Sequence, residues 1–68
     1  MSIKVTVVVQ KEDNWYVAKC LENSVASQGK TIEESIDNLR EALELFYEDT
    51  TPENVNVPTF VTTMEVAL

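Results

Sequence analysis

Residues 27–48 read SQGKTIEESIDNLREALELFYE and decide the fold. Thr31 and Glu34 make T-x-x-E, a helix start signal. The threonine oxygen can accept from the amide three residues on, and the glutamate can reach back to the threonine amide. Behind that box Ile32, Ile36, Leu39, Leu43 and Phe46 recur at steps of three and four, so one side of a helix is apolar. Glu33, Asp37, Arg40, Glu41, Glu44 and Glu48 fill the other side. Gly29 stands two residues before the cap, where a free backbone lets the chain turn from a strand into the helix. The helix is predicted from Ile32 to Tyr47 or Glu48. Asp49-Thr50-Thr51-Pro52 ends it, because proline disfavours helical geometry in the residue before it.

Strands flank this helix. Ile3 to Gln10 is rich in β-branched residues, with Ile3, Val5, Val7 and Val9 on one face and Lys4, Thr6, Val8 and Gln10 on the other. Lys11-Glu12-Asp13-Asn14 reads as a turn, Trp15 to Leu21 as the returning strand, Glu22-Asn23 as a second tight turn and Val25 to Gln28 as a short third strand. Past an Asn54 to Pro58 connector, Phe60 to Val66 is predicted as a fourth strand. Phe60, Met64 and Val66 point one way in it, and Val61, Thr63 and Glu65 the other. The expected class is α+β, ordered β-β-β-α-β, with a four-stranded mixed sheet and one helix packed on one face. A fourth strand beside the first runs parallel to it through a right-handed crossover.

One helix covers one face of such a sheet. In the second strand Trp15, Val17, Lys19 and Leu21 oppose Tyr16, Ala18 and Cys20. The small Ala18 favours the latter set toward the helix, and Lys19 suits solvent. Trp15 and Val17 then join Val8 and Val61 on the uncovered face, a candidate interaction surface. Thr63 belongs with them as a position where the last strand can meet a partner. The alternative for Trp15 is simple packing across the hairpin near its turn.

A chain of 68 residues holds one domain, spanning 1–68. At that length roughly 60% of the unfolded surface is buried, so oligomerisation or a partner is a natural supplement to the core. The net charge of -7 repels phosphate backbones and favours a basic protein partner, or serves solubility alone. Five basic residues, Lys4, Lys11, Lys19, Lys30 and Arg40, are scattered, so direct nucleic-acid binding is not expected. The apolar run from Val5 to Val9 is too short for a signal peptide, and no stretch has the length of a membrane span. With the unpaired Cys20, this points to a cytoplasmic protein.

Nothing in the residue pattern specifies catalysis. Histidine is absent, so Cys20 has no base to activate it, and Lys19 points to the opposite face of its strand. One glycine rules out a glycine-rich phosphate loop. A two-metal nuclease needs converging carboxylates, but the first strand carries no acid and the helix acids form a solvated face. The expectation is no enzyme, no metal and no cofactor, with a nuclease as the least favoured reading. A docking module fits better: an acidic surface, an open sheet face and an edge strand. Phe60 to Val66 can pair with its own copy across a two-fold axis, giving a dimer or a higher assembly.

Trp15-Tyr16-Val17-Ala18, then Ser27-Gln28-Gly29, Thr31, Glu33-Glu34, Asn38-Leu39 and Glu41-Ala42, resemble the HicB family of antitoxins. Its pattern is an aromatic hairpin strand followed by G-x-T-x-E-E-A-x-x-N-x-x-E-A, with Ser35 here in place of alanine. The resemblance covers nearly the whole chain. It implies a partial ribonuclease H-like fold without catalytic residues. It further implies an antitoxin that binds a small basic mRNA-cleaving toxin and occludes its active site. Gly29, Thr31, Glu34 and Asn38 are the motif residues, expected to shape the fold, with Asn38 reaching a neighbouring loop backbone. Many members add a C-terminal DNA-binding domain. Residues 1–68 carry none, so operon repression is expected to need another chain. The alternative to the antitoxin is a homo-oligomeric scaffold or regulator without a toxin.

Overall fold

Asp13 and Asn14 set the first reversal. Asp13 takes a positive φ of 53°, a conformation that Asp and Asn tolerate better than most residues. That closes a two-residue loop between β1 (Val7–Glu12) and β2 (Trp15–Cys20), with Glu12 directly opposite Trp15. β3 (Ala26–Gly29) pairs antiparallel with β2, and α1 (Ile32–Phe46) follows. The computed structural model describes residues 3–48 and 59–68. Among these the fold is α+β: a three-stranded antiparallel sheet ordered β1-β2-β3, with α1 on one face.

The register sorts the side chains. Val7, Val9 and Lys11 oppose Cys20, Ala18 and Tyr16, and Ala18 and Tyr16 oppose Ser27 and Gly29. This is the face that α1 covers. Ala18, Cys20 and Leu39 are fully buried there, with Val5, Val9, Val25 and Leu43 packed around them. Tyr16, Ala18 and Cys20 therefore face the helix, as the small Ala18 suggests. The helix lies mainly over β3 and β2 and barely reaches β1.

Thr31 caps the helix with Oγ1 accepting from the Glu34 amide at 3.0 Å. The buried stripe is shifted from the expected one. Ile32 and Phe46 are 46% and 49% exposed, whereas Ser35 and Leu39 are buried. Periodicity fixes a helix face but not how far the sheet extends beneath its two ends. Ser35 sits at the closest approach, and its hydroxyl donates to the Ile32 carbonyl at 2.7 Å.

The role expected of Gly29 changes as well. Its φ is not positive. A Cβ there would lie 2.6 Å from the Ser35 amide nitrogen and 2.8 Å from the Glu34 carbonyl carbon. Close approach of the helix start, not backbone freedom, demands glycine.

The strand bounds differ too. β1 begins at Val7 rather than Ile3 and continues through Lys11 and Glu12, which were expected in the turn. At Thr6 a side chain takes over from the ladder: the amide donates to Glu22 Oε1 at 2.8 Å, while the Thr6 carbonyl still accepts from Leu21 N at 2.9 Å. The second turn is wider than Glu22-Asn23. Ser24 has φ 63°, and Cys20 N donates to the Val25 carbonyl at 2.8 Å. Asn23 Oδ1 accepts from Val25 N at 3.0 Å, and Asn23 Nδ2 donates to the Tyr47 hydroxyl at 2.9 Å, tying this turn to the end of α1.

Phe60 to Val66, expected as a fourth strand, carries neither strand nor helix, and every residue from 59 to 68 is exposed. A strand exists only where another backbone completes its hydrogen bonds, and this segment meets none of β1 to β3 in a ladder. The expected helix stop at Asp49 to Pro52 and the Asn54 to Pro58 connector lie outside the described residues.

Candidate functional site

Three of the five expected docking residues come together. Val8, Val17 and Trp15 share the sheet face opposite α1. Val8 lies across from Lys19, Val17 between Gln10 and Gln28, and Trp15 across from Glu12. Trp15 is half-exposed, and the Lys30 ammonium stands 5.9 Å from its ring centroid, within range of a cation–π contact. Val61 and Thr63 do not join them. Both are exposed, in the segment outside the sheet.

This face is therefore not a continuous apolar patch. Val8, Val17 and Trp15 are interleaved with Gln10, Glu12, Lys19, Gln28 and Lys30. Sequence reasoning did not identify Lys30, because its place beside Trp15 depends on the β2–β3 register and not on any local motif.

The acidic charge lies elsewhere. Glu33, Glu34, Asp37, Glu41, Glu44 and Glu48 are all exposed on or just after α1. Against these six carboxylates residues 31–48 hold one base, Arg40, giving -5 of the chain's -7. Arg40 meets Asp37 at 3.9 Å with both side chains in solvent, a pair worth about 0–1 kcal/mol. The helix thus presents an acidic ridge, and the opposite sheet face carries Lys19 and, beside Trp15, Lys30, together with Glu12.

The motif residues hold β3 to α1. Asn38 Nδ2 donates to the Gln28 carbonyl at 2.8 Å, so it reaches a strand backbone rather than a loop. Thr31, Glu34 and Gly29 form the junction described above. None of the four adds a charged or nucleophilic group to the open face.

A second polar cluster surrounds Glu22. Its carboxylate accepts from the Thr6 amide and, at 3.5 Å, from the Cys20 thiol. The Thr6 amide bond holds the Glu22 pKa below the ordinary carboxylate value. Cys20 itself is fully buried in the core. Among the described residues no three His, Cys, Asp or Glu side chains are grouped to hold a metal ion. No helix among them is long and apolar enough to cross a membrane.

Comparison with known proteins adds one match. A family of unknown function, DUF7387, matches residues 4–65, which takes in the sheet, the helix and most of the C-terminal segment. No curated protein matches the chain, and no solved structure does.

Proposed function

We propose that this chain, which belongs to the DUF7387 family, is a non-catalytic docking module that neutralises a small basic RNA-cleaving protein by covering its active site. The observation that carries this is the acidic ridge of α1, with -5 concentrated on the exposed charged side chains of residues 31–48. Such a ridge steers a cationic partner into encounter and orients it. The HicB-like residues from Trp15 to Ala42 support the same reading. On it the chain is an antitoxin, its location is cytoplasmic, and it binds no nucleic acid directly. Phe60 to Val66 then becomes a fourth strand only on assembly, completing a mixed, partial ribonuclease H-like sheet.

The test is co-purification with a short basic protein encoded beside this gene, followed by charge reversal. Glu33→Lys with Asp37→Lys should weaken the complex about tenfold or more at low salt, mainly through slower association. Equal affinity for both proteins would remove the ridge from the mechanism. Absence of a complex at micromolar concentrations would end the antitoxin role for that pair.

A second reading is favoured by a separate observation. Phe60 and Met64 are 87% and 83% exposed, and Val61, Val66 and Leu68 are exposed with them. An apolar arm of this kind suits a self-assembling scaffold or regulator. The two readings are compatible.

A further inference from the structure

The arm and the sheet each lack something the other has. β1 is an edge strand among the described residues. Thr6 bonds toward Leu21, and β1 closes on Trp15 at Glu12. The alternation of an antiparallel ladder therefore directs the amides and carbonyls of Val7, Val9 and Lys11 away from β2, to the open edge. On the helix side the same edge is thinly covered. α1 barely reaches β1, leaving Val7 37% exposed. The arm offers a β-favouring run, Phe60-Val61-Thr62-Thr63-Met64-Glu65-Val66, with Phe60, Met64 and Val66 on one side when extended.

Charge narrows where two copies can meet. Two molecules at -7 repel, so contact is favoured where the surface carries little charge. Residues 5–10 and 59–64 carry no charged side chain. The other edge, β3, is only four residues long.

We propose that Phe60–Val66 of one copy pairs with the free β1 edge of a second copy, and reciprocally, giving a strand-exchanged dimer. Phe60, Met64 and Val66 then lie over the partner's Val7 and extend the apolar layer past the helix. Exchange of an identical segment satisfies both edges at once and closes the assembly at two. This rests on the self-association reading and specifies which strands meet.

The experiment uses the full chain. Light scattering should give twice the 7.7 kDa chain mass. In a mixture of isotope-labelled and unlabelled chains, filtered NMR contacts should join Phe60, Met64 and Val66 of one copy to Val7 and Val9 of the other. The Val7, Val9 and Lys11 amides should be protected from hydrogen exchange. Thr63→Pro removes a ladder donor and should return a folded monomer with those amides unprotected. The mixed-label measurement needs no variant, so an unfolded Thr63→Pro leaves the test standing. A dimer with arm-to-arm contacts overturns the exchange and spares self-association. A monomer overturns both, and arm contacts confined to one chain overturn the exchange.

Discussion

At the scale of single residues, two side chains have roles that their types alone do not announce. Gly29 is required because the first turn of α1 rests on it, and a methyl group there would lie only 2.6 Å from the Ser35 amide. Gly29→Ala should lower unfolding free energy by about 1–3 kcal/mol in urea titration, the range of an overpacked core site. The glycine was legible in SQGKT, but its reason was not, since backbone freedom and close approach look alike in a sequence. Glu22 is the second case. It read as a turn acid, yet it accepts the Thr6 amide where β1 loses its ladder partner. Its folded pKa lies below the ordinary glutamate value, because the charged form is the one hydrogen-bonded. A depressed carboxylate stabilises fully above its unfolded pKa, and that contribution vanishes as pH falls through the folded value. Urea midpoints taken from about pH 5 down to pH 3 should therefore fall more steeply for the native chain than for Glu22→Gln. Parallel slopes would mean that the Thr6 contact does not discriminate between the charged and neutral acid.

At the scale of elements, local signals were readable and the contacts between distant elements were not. The start of α1 follows from Thr31, whose hydroxyl accepts the Glu34 amide, and its span ends within a residue of the sequence expectation. The facing of β2 follows from Ala18 and Lys19, neither of which suits the opposite side. By contrast, the shift of the buried stripe to Ser35 and Leu39 depends on where the helix axis crosses the sheet. The Asn23–Tyr47 bond joins residues 24 apart in the chain. That bond holds the end of α1 to the β2–β3 turn, which also contains Glu22. Tyr47→Phe keeps the ring, packed edge-on to Phe46 with centroids 4.9 Å apart, and removes only the hydroxyl. It should cost about 0.5–1.5 kcal/mol and raise amide exchange at the last turn of α1 more than at its start. Uniform acceleration along the helix would show that the bond acts on global stability and not on the helix end.

At the scale of the whole molecule, the uneven charge distribution sets two associations against each other. The arm was visible in the sequence as an alternating β-like run, but alternation does not state which chain supplies the neighbouring strand. Nor does a net charge of -7 state that residues 31–48 carry most of it. The two proposed contacts differ in electrostatic sign. Self-association brings together two like-charged molecules through strands that hold only Lys11, Glu12 and Glu65 as charged residues, whereas a basic partner meets the acidic ridge of α1. The Debye length shortens from about 30 Å at 0.01 M salt to about 10 Å at 0.1 M, so repulsion between copies is screened across that range. Sedimentation equilibrium should show the dimer tightening over this interval, and titration calorimetry should show a basic partner binding more weakly. Opposite salt slopes assign the arm to self-assembly and the ridge to the partner. If both associations weakened with salt, attraction between unlike charges would dominate the contact between copies, and the lysine-bearing sheet face against the acidic helix would replace the arm as the surface that joins them.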